Sequence, residues 1–226
     1  MAIEKDARIL ILDTETTNNF DDPLCYDVGY EVFDLAGNLY DRNSFINADV
    51  FFAKELMASA FFLDKFDQYV AECDAGKRQL ASWFHITKEL YRSMVTNEAK
   101  IVVAHNARFD YKALHTTQRY RTSSRWRWVL PWGVEWWDTL KMARVEMKDD
   151  KSYTDFCMAH NFLTTYGKPQ FTAEVLYKYI MGDIDFCESH TGLEDVQIER
   201  KIFEYLMNRN PEIDGRLWPK GEVEDE

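Results

Sequence analysis

The stretch from Arg8 to Phe20, RILILDTETTNNF, ends an apolar run in two carboxylates, Asp13 and Glu15, separated only by Thr14. In an extended chain, side chains two apart point the same way, so these two acids project together. Carboxylates held that close repel each other, and one keeps its proton unless a cation lies between them, which makes the pair half of a metal site. Hard oxygen ligands suit Mg²⁺ or Mn²⁺ better than Zn²⁺. The competing reading is an acidic turn in which an Asp or Thr caps a helix. The pattern Asp-x-Glu is too short to decide by itself. A calcium loop is a poor alternative, because the segment lacks the spacing and glycine of an EF-hand.

Two more places offer acids or a base. Asp110 follows the apolar run Ile101-Val-Val-Ala and falls one helical turn after it; its plain alternative is a solvated helix carboxylate beside Arg108. In HTGLEDVQIE, His190 precedes the start of a helix and Asp195 falls in that helix's first turn, so both can lean into one site. The plain alternative for that pair is an acid favoured by the helix dipole and a surface histidine.

The elements that position these groups are legible in outline. Residues 8–12 form a continuous apolar strand of the kind buried at a sheet centre. CYDVGYEVFD and LYDRNSFIN read as more polar, roughly alternating strands joined by the turn Leu35-Ala36-Gly37-Asn38, giving an antiparallel meander. From Lys54 to Glu98 the pattern is helical; KIVVAHN is a second buried strand, and ARFDYKALHTT a helix. EWWDTLKMARV is a strand running into a helix, YTDFCMAHNFL and TAEVLYKYIM are helical, and LEDVQIERKIFEYLMNR is a long amphipathic helix closed by Asn210-Pro211. The expected fold is an α/β mixed sheet, a three-stranded antiparallel meander plus parallel strands, flanked by helices.

Composition bounds the rest. A chain of 226 residues, 46% hydrophobic, can bury a large core and fits one domain over residues 1–220, with GEVEDE at 221–226 as an acidic, disordered tail. Cys25, Cys73, Cys157 and Cys187 show no C-x-x-C spacing, which argues against zinc and against a disulfide framework. No stretch is long and apolar enough for a signal peptide or a membrane span, so a cytoplasmic protein with no membrane partner is expected. The net charge of −12 disfavours unspecific adhesion to nucleic acid. Local sign reverses, however: from Lys100 to Arg127 seven basic residues accompany a single acid, Asp110. Within it, Arg125, Trp126 and Arg127 begin an alternation of arginine and tryptophan that suits backbone tracking and base stacking on single strands. The alternative is tryptophans that pack while arginine stems cover them.

Taken together, DTET after a first strand, HNARFD after a later one and HTGLED opening a late helix resemble the motifs of the DEDDh, or DnaQ-like, 3′→5′ exonucleases of the RNase H-like superfamily. WWDTLKMAR is similar to a D-T-x-x-x-A-R segment those enzymes often carry, and the resemblance runs from about Arg8 to Met207. It implies an RNase H-like fold and hydrolysis of phosphodiester bonds at single-stranded DNA or RNA 3′ ends, DNA ahead of RNA, with two Mg²⁺ (or Mn²⁺) ions. The implied metal-binding acids are Asp13, Glu15, Asp110 and Asp195, and the implied general base is His190, whose ordinary pKa near 6.5 lets it take a proton at neutral pH. Thr14 and Thr16 are expected to meet the terminal nucleotide, and His105 and Asn106 to orient groups around the second motif, a satisfied structural histidine being the other reading of His105. A polymerase or other replication protein is a conceivable partner, since no polymerase domain fits in the chain. Gly192, where relatives often have Ala, reads as a harmless departure, and 161–189 as a longer segment than in compact relatives. Two alternatives stay open: an oligoribonuclease or RNA-trimming enzyme, and a catalytically silent nucleic-acid-binding module, against which the presence of all five motif residues argues.

Overall fold

The computed structural model describes residues 3–17, 21–60, 63–125 and 128–218. Its centre is a six-stranded sheet in the order β4 (Gln79–Ala81), β3 (Leu39–Asn47), β2 (Leu24–Phe33), β1 (Ile9–Thr17), β5 (Ile101–Ala104), β6 (Glu135–Asp138). Strands β1 (Ile9–Thr17), β2 (Leu24–Phe33) and β3 (Leu39–Asn47) form the antiparallel meander, and β5 (Ile101–Ala104) and β6 (Glu135–Asp138) add in parallel beside β1. The meander turns at Gly37 (φ 95°), where the Asp34 carboxylate accepts the amides of Ala36 and Asn38. This mixed sheet flanked by helices is the expected RNase H-like architecture.

Alternation along β1 divides the core. Ile9 and Ile11 face α9 (Gly192–Arg209), packing with Val196, Ile202 and Phe203. Leu10 and Leu12 face α4 (Trp83–Thr96) and α5 (Ala107–Arg121), packing with Ile86, Leu90 and Leu114. Each face is covered because each helix carries apolar residues at three- and four-residue intervals. A third cluster, with Tyr26, Phe51 and Tyr69, seats α1 (Ala48–Phe51), α2 (Lys54–Met57) and α3 (Phe66–Asp74) beyond the meander. Helices α6 (Thr139–Met147), α7 (Lys151–Ala159) and α8 (Ala173–Met181) complete the α9 side.

Three expectations need correction. The first strand does not stop at Leu12 but runs on to Thr17, so Asp13 and Glu15 lie within it. The Lys54–Glu98 region is not helical throughout: β4 (Gln79–Ala81) pairs in parallel with β3, and three half-exposed edge residues carry no periodicity to reveal it. β2, expected to be half polar, is buried along its whole length. Its acids are tolerated there because cations reach them, Arg42 and Arg200 at Glu31 and Arg78 at Asp27. The acidic tail at 221–226 lies outside the described residues, and no described helix is long and apolar enough to cross a membrane.

Candidate active site

The site is built where β1 continues past its parallel neighbour. β5 pairs with β1 only at Ile9, Leu10 and Ile11, so Asp13 and Glu15 emerge at the carboxyl end of the pair. Ligands of such sheets collect at that edge. Asp13 Oδ2 is buried with no hydrogen-bond partner among the described residues. A buried carboxylate oxygen left unpaired is costly unless a proton or a cation compensates it. Burial, then Glu199, Asp110, Glu15 and Asp195, push the Asp13 carboxyl well above the usual range.

Asp110 arrives on α5, which starts directly after β5 with Asn106 in the left-handed conformation (φ 65°) as its N-cap. Burial, only partly offset by bonds from Thr14, raises its carboxyl to about 7. Asp195 comes from the first turn of α9 and is raised to about 8 by burial and then by Glu188. Glu15 is raised too, by burial and then by Asp27 and Asp195, with Lys65 acting the other way. His190, just before α9, is half-buried with φ 48°, and its ring Nδ1 stands 3.8 Å from Glu188. One ligand atom each of Glu15, His190 and Asp195 lie within 4.8 Å of one another. Partial burial and Lys65 lower the His190 pKa, keeping the ring neutral and able to accept a proton. All five motif residues line one cleft of about 470 Å³. Several oxygen donors with raised pKa values, one with no hydrogen-bond partner among the described residues, are a donor set that fits a hard divalent cation.

The remaining candidates divide. Thr14 lines the cleft, but its amide and hydroxyl both donate to Asp110 Oδ1, at 3.1 and 2.9 Å. It fixes the acid, which leaves its hydroxyl no second proton to donate. Thr16 does not line the cleft: it follows the register shift between Glu15 and Thr16 in the pairing of β1 with β2, and it is buried. His105 borders the cleft with both ring nitrogens engaged, by Thr139 Oγ1 and the Phe171 carbonyl, each at 2.9 Å, and burial holds its pKa down to about 4. It is a neutral structural histidine tying β5 to the cleft wall. Asn106 borders the cleft, its backbone N–H donating to Asp138, which also caps α6. Arg125 follows the far end of α5, away from the cleft lining; Trp126 and Arg127 lie outside the described residues.

Sequence reasoning missed Glu199, Glu188 and Arg144, all of which line the cleft. Glu199 is buried one turn beyond Asp195 on the same helix face and accepts the His105 amide at 3.1 Å. Its spacing of four from Asp195 was the available signal. Arg144 belongs to the WWDTLKMAR segment, one face of which turns to the cleft. The segment 161–189 forms the opposite wall through Thr164, Gln170, Phe171 and Thr172, held by Tyr153, whose hydroxyl donates to the Gln170 carbonyl.

No protein-family model matches the sequence, and no curated protein is found as a relative of it. Solved structures do match. The nuclease domain of 3′hExo, a DEDDh family member bound to rAMP, superposes with a TM-score of 0.60 at 13% identity, covering 95% of this chain and 98% of that one. The fold is that of the DEDDh 3′-exonucleases. A second 3′-exonuclease structure, described for 3′-end specific recognition of a histone mRNA stem-loop, gives 0.60 at 12% identity over 93% and 85% of the two chains. E. coli Exonuclease I with a dT13 oligonucleotide gives 0.56 at 16% identity over 91% of this chain; the match spans 42% of that protein. In this shared fold, the cleft described above lies at the carboxyl edge of the central strands.

Proposed function

We propose that this protein is a divalent-metal-dependent 3′→5′ exonuclease that hydrolyses phosphodiester bonds at single-stranded nucleic-acid ends. The observation that carries the reading is the convergence of Asp13, Glu15, Asp110, Asp195 and His190 on one cleft, with a buried oxygen of Asp13 left for a cation. The neighbours sharing the fold support it: one holds rAMP and another a DNA oligonucleotide.

In this reading Asp13, Glu15, Asp110 and Asp195 would hold the divalent Mg²⁺ or Mn²⁺ ions. Bound divalent ions supply positive charge that stabilises the pentacovalent phosphorus and lowers the pKa of water. His190 accepts the proton of the attacking water. Glu188, 3.8 Å from its Nδ1, steadies the imidazolium that results. Thr14 holds Asp110 in place, and Arg144, exposed on the cleft wall, meets phosphate. Phe171 and Phe109, which also line the cleft, offer apolar surface to the terminal base.

The decisive experiment incubates the protein with 3′-labelled and 5′-labelled DNA and RNA oligomers in Mg²⁺, Mn²⁺ or EDTA. Stepwise loss of 3′ nucleotides that EDTA stops is expected. Cleavage undiminished by EDTA, or nucleotides released from the 5′ end, would sink the proposal. The same gels separate the DNA preference from an RNA-trimming activity, because the two sugars are read side by side.

A further inference from the structure

Lys65 ends a 3₁₀ turn, Leu63–Lys65, immediately before α3, and lies 125 residues from His190 in sequence. Its ammonium nevertheless donates to the carbonyl of Ser189 and, at 3.4 Å, to the carbonyl of His190. Between those two carbonyls lies the left-handed turn at His190 (φ 48°), a conformation L-residues other than Asn, Asp and Gly adopt reluctantly. Two successive carbonyls turned toward one cation is an arrangement the cation itself stabilises.

The two sides of this contact are fixed to different degrees. α3 is rooted by Phe66 stacked on Phe51, with centroids 4.4 Å apart, and by buried Tyr69. The segment from Asp183 to His190 has no helix or strand of its own; it is held by side-chain contacts, Phe186 against Tyr177 and Ser189 Oγ to Thr191 Oγ1 at 2.9 Å and Asp195 Oδ1 at 3.5 Å, ahead of Gly192, whose backbone amide donates to Asp27. Lys65 is therefore a tie from a rigid element to the loop that carries the candidate base. The same ammonium is the cation acting on Glu15, Glu188 and Asp195.

We propose that Lys65 is a positioning residue for catalysis: by holding the Ser189 and His190 carbonyls it sets the left-handed turn that directs the imidazole at the cleft. This inference rests on the exonuclease reading above. A misplaced reacting group costs turnover more than binding, since the acids and the cleft wall stay in place.

The test compares Lys65→Met, Lys65→Arg and wild type by steady-state cleavage of a labelled oligomer, by Mn²⁺ titration, and by amide hydrogen exchange over residues 188–191. K65M should lose about tenfold to hundredfold in kcat, the scale expected for a displacement of about an ångström. KM should stay within about twofold of wild type, as should the Mn²⁺ midpoint. K65R should recover most of the lost rate, and exchange at 188–191 should quicken by about tenfold in K65M while β1 and β2 are unchanged. Wild-type kcat in K65M, a loss confined to KM, an arginine variant as slow as the methionine one, or unaltered exchange at 188–191 would each overturn the proposal. Should K65M not fold, Lys65→Ala, which likewise removes the donor to the carbonyls, is read in the same assays against the same criteria. A wild-type chain that cleaves no oligomer sinks the exonuclease reading instead, and the exchange measurement then decides alone whether Lys65 holds the loop.

Discussion

At the scale of single residues, the site is a crowd of acids that only a cation or protons can reconcile. Asp13→Asn is expected to abolish cleavage and weaken Mn²⁺ binding together, whereas His190→Ala should lower kcat by about 10² to 10⁴ with little change in metal affinity. Equal activity of the His190 variant and wild type from pH 6 to 9 would refute the base. The raised carboxyls also predict a pH dependence of stability. In the metal-free chain Asp110 and Asp195 keep their protons to about pH 7 and 8, whereas unfolded carboxyls lose theirs near pH 4. The folded chain therefore binds more protons than the unfolded one, so stability is greatest on the acid side and falls as pH rises through these values. Below about pH 6.5 the buried neutral His105 works in the opposite sense, because its unfolded ring would charge there. The clean window is thus pH 6.5 to 8.5: thermal unfolding in EDTA should show a falling Tm, and Mn²⁺ should remove or reverse the trend because it binds the ionised acids. A Tm in EDTA that is flat or rising in wild type, or the same slope in an Asp110→Asn/Asp195→Asn double variant, would contradict this assignment.

At the scale of elements, the approach of α9 to β2 decides whether His190 and Asp195 reach the acids of β1. A Cβ on Gly29 would meet Gly192 C at 2.3 Å and Leu193 N at 2.4 Å, so only glycine lets the helix start rest on the strand. A Cβ on Gly192 would meet Gly29 N at 2.8 Å and Asp27 Oδ1 at 3.2 Å, which makes Gly192 a fitted residue in this chain rather than a neutral departure. Gly29→Ala should cost about 1 to 3 kcal/mol in denaturant unfolding, the usual range for overpacking, and should depress activity by displacing α9. Arg78 secures the same junction. It is buried, and its guanidinium reaches Asp27 at 3.3 Å, Glu72 at 2.5 Å and Glu194 at 2.6 Å. Arg78→Met strands Asp27 without its cation and should destabilise by about 3 to 5 kcal/mol. An unfolding midpoint equal to wild type would show that this network is incidental.

At the scale of the whole molecule, a net charge of −12 coexists with a basic segment after β5, and the fold spreads that segment along α5. Fifteen helical residues span about 22 Å, so Arg119, Arg121 and Arg125 lie well away from the Asp110 end. Trp128 and Trp132 are exposed and pack edge to face, and Trp132 shares a groove with Lys100 and Val134, where β5 and β6 begin. That groove and the acidic cleft therefore occupy opposite ends of the parallel strands. An Arg125→Ala/Arg127→Ala double variant should leave hydrolysis of a dinucleotide unchanged while weakening binding of a twelve-nucleotide strand and flattening its salt dependence. Unchanged affinity for the longer strand at low salt would remove these arginines from the substrate path.

The apolar periods were enough to specify the central strand, the meander and the helix after each parallel strand, because these rest on local spacing; Asp13, Glu15, Asp110, His190 and Asp195 were singled out as a set by the resemblance of their motifs to the DEDDh exonucleases. Short or exposed elements such as β4 escaped, having no period to read. Only the tertiary structure decided which groups meet: that Glu199 joins the acids, that Thr14 is committed to Asp110 while Thr16 does not line the cleft, that Arg78 neutralises a buried strand, and that Lys65 reaches across to Ser189 and His190. Such contacts join residues far apart in sequence, and their existence depends on the packing angle of helix against sheet, which no one-dimensional spacing encodes.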